Sequence, residues 1–318
     1  MNFFKTTALT AMVAGGVMLA GVAIAQDKTY TIGVSVPTAD HGWTGGVDFF
    51  AQQAVDRLGK AYPNLKFVLA TAPDSTKQAA DVEDMLATRN IDALVILPGD
   101  PDAMTASIKK VKDAGKWVTV IDRQLSQNGI QDLYVAGDNP GLGTTTANYF
   151  KTALPNGGNI VVLRGLPIPI DKQRVDAFNA GIAGTSIKVL DSQFANWNRD
   201  DGYKVMQDFL TKYPNIDAVW AQDDDTLVGA LKAIKEAGRD KIWAVGGAGM
   251  NQIVKMVEGG STQVPVDVSY NPNMVATAID LTALHFVANA QVDGTMIINS
   301  TLITKDNAAQ FDYPNTPF

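Results

Sequence analysis

Residues 90–100, NIDALVILPGD, return 125 positions later at 215–225 as NIDAVWAQDDD. The echo continues: DAGKWVTVID from Asp113 is answered by EAGRDKIWAVGG from Glu236, with two residues inserted in the second copy. Two blocks repeated in one order at one offset predict two similar lobes, each a doubly wound parallel sheet, with a single larger sheet as the alternative. The rest of the chain keeps the same alternation. TIGVSV, FVLA, ALVILP, WVTVID, LYVAG, NIVVLRG, AVWAQ, IWAVGG and VPVDVS are short, apolar and β-rich, and between them run stretches of helical period such as FFAQQAVDRLGKAY and DGYKVMQDFLTKY. Strands apolar on both faces, separated by amphipathic helices, give an α/β fold whose parallel sheets are covered on both sides.

Outward from that pattern, composition limits what the chain does. Residues 1–25 hold one cation, Lys5, then an acid-free apolar segment from Ala8 that closes on Ala23-Ile24-Ala25. This is the pattern of a cleavable secretory signal peptide rather than a membrane span, and it predicts a mature chain from Gln26 in the periplasm. The sequence has no cysteine, hence neither a disulfide framework nor a lipid-bearing cysteine. Its 26 basic against 33 acidic residues, without a basic run, argue against nucleic acid. G-x-S-x-G, P-loop and H-E-x-x-H motifs are missing, and the two histidines lie far apart. No catalytic residue, metal site or cofactor is therefore expected.

In doubly wound sheets ligands sit beyond the carboxyl ends of the strands. The turn DHGWTGG after the first strand supplies Asp40, His41, Trp43 and Thr44; WVTVI is followed by Asp122 and Arg123, LYVAG by Asp138 and Asn139, and NIVVLRG by Lys172 and Arg174. VLDSQF leads to Asn196 and Trp197, and AVWAQ to Asp223, Asp224 and Asp225. Carboxylates, planar cationic donors and two indoles suit a polyhydroxylated ligand, whose hydroxyls both donate and accept and whose C–H face an indole covers. Plainer readings stand beside these. Asp224 and Asp225 read as caps or solvated acids, Asp223 equally as cap or contact, Trp43 as a staple on its helix, and Asp122-Arg123 as a surface pair. Trp117, Trp220 and Trp243 lie inside apolar runs and read as core, and His285 as structural.

VIDRQ, GDN, KQRVDAF and ANWNRDDGYKVMQDFLTKYPNIDAVWAQDDDTLVGALKAI, in this order and spacing, resemble the ribose-binding type of periplasmic sugar-binding proteins that serve ABC importers. The resemblance spans the mature chain and implies a type I periplasmic binding protein: two lobes joined by three crossovers, closing on a sugar. It sets the lobes at 26–137 plus 271–298 and at 138–270 plus 299–318. Position by position it puts stacking aromatics at Trp43 and Trp197 and an Asp-Arg pair at Asp122 and Arg123. It also marks departures. The family's Asn is His41, its second aromatic Thr44, its ligand-contacting Arg Lys172 with Arg174 two residues on, its second Asn Asp223, its hinge Gln Tyr270, and its Asp Ala248. The implied protein is a non-catalytic monomer that delivers a small neutral sugar or polyol to a membrane permease. The departures favour an acyclic polyol over a pentose or hexose. A chemoreceptor or signal-receptor component on the same fold is one alternative. A secreted carbohydrate-active enzyme, with His41 and Asp40 or Asp223 as its acid/base pair, is the other.

Overall fold

The computed structural model describes residues 28–313, 316 and 318; the signal segment expected at residues 1–25 lies outside them. Strands and helices alternate as β1 (Tyr30–Pro37), α1 (Gly42–Ala61), β2 (Leu65–Ala72), α2 (Ser75–Ala87), β3 (Ala93–Ile96), α3 (Pro101–Asp113), β4 (Trp117–Ile121), β5 (Leu133–Gly137) and α4 (Asn139–Ala153). The second half continues with β6 (Gly158–Arg164), α5 (Pro169–Ile182), β7 (Ile187–Phe194), α6 (Arg199–Lys212), β8 (Ala218–Ala221), α7 (Asp224–Glu236), β9 (Trp243–Val245) and α8 (Asn251–Glu258). The chain ends with β10 (Asp267–Val268), α9 (Met274–Ala288), β11 (Gly294–Ile298) and β12 (Leu302–Ile303).

The β-rich runs pair into two separate parallel sheets, ordered β11-β5-β4-β3-β1-β2 and β7-β6-β8-β9, so the single-sheet alternative falls. Ile32, Val34 and Val36 of β1 and all of β3 are fully buried, as strands covered by helices on both faces require. Five helices start where an acid or amide follows a strand. Asp74, Asp100, Asp138, Asn198 and Asp223 each accept a hydrogen bond from the first turn of α2, α3, α4, α6 and α7.

The chain passes between the sheets three times: after β5, between β10 and β11, and after β11. Two details correct the sequence reading. VPVDVS yields only the two-residue β10, paired antiparallel with β12, with one isolated parallel bridge just beyond it between Ser269 and Ala248. GTMII, not read as a strand, forms β11 at the edge of the first sheet, in parallel register with β5. Met296 and Ile297 of β11 are 42 % and 47 % exposed, so the strand is held by its backbone ladder rather than by burial, and its composition did not announce it.

Candidate functional site

Loops that leave the carboxyl ends of both sheets meet around a narrow cavity. On the side of the first sheet its wall is His41 and Trp43, from the start of α1, with Asp122 and Arg123 beyond β4. The other half contributes Ile170 and Arg174 of α5, Trp197 beyond β7, Asp223 beyond β8, Gly247 and Ala248 beyond β9, and Tyr270 beyond β10. This is the strand-end placement expected of a doubly wound sheet.

A hydrogen-bonded relay forms one wall. The Tyr270 hydroxyl donates to Asp122 Oδ1 and accepts from Asn139 Nδ2 at 2.9 Å; Asn139 Oδ1 accepts from Arg174 Nε at 2.7 Å, and Arg174 Nη1 donates to the Gln222 carbonyl at 3.1 Å. A carboxylate that only accepts stands at one end and a guanidinium that only donates at the other, which fixes the direction of every bond between them. The Arg174 guanidinium lies 4.4 Å from the Tyr270 ring centroid and 5.4 Å from that of Trp197, within cation–π range. Burial and the neighbouring Asp122 carboxylate push the Tyr270 hydroxyl well above its ordinary pKa, so it stays a donor. Tyr270 also accepts, through its carbonyl, the Trp43 indole N–H at 2.9 Å.

Arg123 donates through Nη1 to the carbonyls of Gly99 at 2.6 Å and Pro98 at 3.2 Å. Its Nε has no partner among the described residues, with the nearest Asp122 oxygen 3.9 Å away. Asp122 and Arg123 are both buried, which removes the surface-pair reading. Trp197 presents a second donor of this kind, since its buried Nε1 has no partner among the described residues. Its indole fills the space a side chain at Gly165 would need, where a Cβ would lie 1.8 Å from Cε2.

His41 Nδ1 lies 2.5 Å from Asp40 Oδ1, and the Thr44 hydroxyl donates to the same oxygen at 2.8 Å while accepting from the backbone N–H groups of Asp40 and His41. Burial pushes the imidazole down. The Asp40 hydrogen bond and the Asp223 and Asp40 charges outweigh it, leaving His41 above its ordinary 6.5. Asp223 is both cap and wall: Oδ1 accepts from the Asp225 and Thr226 N–H groups at 2.8 and 3.3 Å, and burial raises its carboxyl to about 6.

Of the eleven residues read from the sequence, eight line the cavity and three do not. Thr44 is buried behind His41, and Asn139 is buried behind Tyr270 and Arg174. Lys172 is exposed and pairs with Asp176 one turn along α5, outside the cavity. Two residues on a helix turn the side chain by about 200°, so when Arg174 faces inward Lys172 faces out. Asp224 and Asp225, read as caps or solvated, are buried. Asp224 accepts from the Gly247 and Met250 N–H groups at 3.0 and 2.7 Å. Ile170 was not foreseen, because an aliphatic residue in LPIPI carries no polar signal. His285 stacks on Trp117 with ring centroids 3.9 Å apart, away from the cavity, as a structural histidine does.

A family model described as a periplasmic binding protein domain matches residues 32–289. The chain is similar to the ribose import binding protein of Escherichia coli, 31% identical over 261 residues, 82% of this chain and 85% of that one. It is also similar to the xylitol-binding protein of Mycolicibacterium smegmatis, 28% identical over 299 residues, 91% of this chain and 81% of that one. Among solved structures, an ABC transporter solute binding protein from Mycobacterium smegmatis with bound glycerol superposes with a TM-score of 0.81 at 26% identity, covering 91% of this chain and 98% of that one.

Proposed function

The chain belongs to the periplasmic binding protein family, and from that premise we propose that it captures a small, neutral, polyhydroxylated ligand for an ABC importer, an acyclic polyol before a pentose or hexose. The carrying observation is that Arg123 and Trp197, each with a buried donor that has no partner among the described residues, Arg123 Nε and Trp197 Nε1, line a cavity together with the carboxylates of Asp122 and Asp223. Orphan donors want acceptors and carboxylates want donors, and a hydroxyl is both. On the cavity wall the guanidinium groups of Arg123 and Arg174 stand against the carboxylates of Asp122 and Asp223, which favours an uncharged ligand. The Tyr270 ring occupies the cavity side, Thr44 stands behind it, and Ala248 offers no polar group, so the wall suits a slim chain better than a broad ring. The relatives named for xylitol and ribose and the structure holding glycerol lie in the same chemical class.

In this reading His41, Trp43, Asp122, Arg123, Arg174, Trp197, Asp223 and Tyr270 contact the ligand, while Thr44 and Asn139 hold them in place. Residues 26–137 with 271–298 form one lobe, 138–270 with 299–318 the other, and the three crossings between sheets are the hinge. The protein is exported by its leader, acts as a monomer, hands its ligand to a membrane permease, and has no catalytic or nucleic-acid role. Calorimetry tests the ligand class: a four- or five-carbon polyol is expected to bind far more tightly than ribose, galactose or glucose. Tight ribose binding with no response to any polyol overturns the ligand and leaves transport intact. X-ray scattering at saturation tests the hinge, with compaction expected and an unchanged profile counting against closure.

A further inference from the structure

Asp225 stands two residues from Asp223 yet does not line the cavity. It is 6 % exposed, in the first turn of α7. Oδ1 accepts from Arg199 of its own half, from Nη2 at 2.6 Å and Nε at 3.2 Å, and Oδ2 accepts the backbone N–H of Gly42, the first residue of α1 in the opposite half. A Cβ at position 42 would lie 2.4 Å from that Oδ2 and 3.3 Å from Cγ, so the approach requires glycine. The first turn of α1 contains no acid of its own. Its unpaired N–H groups and the positive end of its dipole are therefore free to attract a carboxylate from elsewhere.

We propose that Asp225 is a closure latch: it docks on the N-terminus of α1 when the two halves meet and adds to ligand affinity as a positioning residue, without touching the ligand. Arg199, on the same side of the cleft, keeps the carboxylate aimed while the halves are apart. The latch rests on the reading that the lobes close around the ligand, and its test separates the two.

Asp225→Asn and Gly42→Ala attack one contact from opposite halves. A charge-assisted hydrogen bond of this kind corresponds to about tenfold in an equilibrium. Both variants are expected to bind xylitol about tenfold more weakly through faster dissociation, with the affinity ratio between xylitol and ribose unchanged. The chain lacks cysteine, so a nitroxide on Gln173→Cys, exposed in the second half, is a clean probe. In ligand-free protein, relaxation of first-half amides across the cleft reports the transiently closed population, which both variants are expected to lose. Unchanged affinity and unchanged relaxation overturn the latch, as does a shifted xylitol-to-ribose ratio, which would put Asp225 on the ligand. If the parent chain binds neither compound the ligand reading falls, and the ligand-free relaxation alone decides the latch. Where Gly42→Ala does not fold, isosteric Asp225→Asn carries the test.

Discussion

Asp122 and Trp197 hold left-handed backbone angles, φ +59° and +52°, and Asn196 beside Trp197 holds +53°. Asparagine tolerates that region, but for tryptophan it costs on the order of 1–3 kcal/mol, a strain that persists where the side chain is needed. Trp197→Ala is expected to weaken polyol binding by about 1–3 kcal/mol, the range for burying a large apolar side chain, with the circular dichroism unchanged. Full affinity in a folded variant removes Trp197 from the site. The indoles at 43 and 197 were legible because they stand at strand ends rather than inside apolar runs. Lys172 and Arg174 were both read as contacts, but one helix face cannot take both, and the phase of α5 turns only Arg174 inward. Arg123 and Trp197 were legible as types, but not as orphan donors: a missing partner is a three-dimensional fact.

Helix α7 concentrates the ambiguity of an acid after a strand, since Asp223 caps it and also faces the cavity. Asparagine caps nearly as well as aspartate, whereas alanine does not, at a cost of about 1 kcal/mol. Asp223→Asn is therefore expected to keep the unfolding free energy and lose ligand affinity, while Asp223→Ala loses both; denaturant titration and calorimetry on the two variants read the roles apart. Equal affinities in Asp223→Asn and the parent chain reduce the residue to a cap. The principal strands were readable because apolar runs such as ALVI and WVTVI are buried on both faces. GTMII and VPVDVS misled for the opposite reason: β11 is exposed yet paired, and only Asp267 and Val268 of VPVDVS form a ladder.

The two-sheet architecture followed from the repeat at 90–100 and 215–225, which no single helix or strand reveals, whereas the packing of one half on the other had no counterpart in the sequence. The folded chain also buries acids. Burial raises the carboxyl pKa of Asp223 to about 6 and of Asp267 to about 7, lifts Asp224 beside Asp267 well above the ordinary range, and His41 also lies above its ordinary value, because the Asp40 hydrogen bond and nearby charges outweigh its burial. All four bind protons more tightly folded than unfolded, so between about pH 5 and about pH 8 the folding free energy falls as pH rises. Asp191, held at about 2 chiefly by Lys212, titrates below this window. The ligand-free melting temperature is expected to be higher at the acidic end, and Asp267→Asn to flatten the slope; a melting temperature that climbs toward pH 8 contradicts the assignment. At the end of β5, Gly137 packs against the Tyr270 ring. A Cβ on Gly137 would lie 2.2 Å from Tyr270 Cε2, so the tyrosine has room only because residue 137 has no side chain. Glycine at 137 is therefore a condition for tyrosine at 270, and a side chain at 137 requires a residue at 270 that leaves this space empty. Gly137→Ala is accordingly expected to be harmful alone and tolerated with Tyr270→Gln, with a coupling of about 1–3 kcal/mol in a double-mutant cycle of stability. Additive effects would mean that the two positions do not compete for the same space.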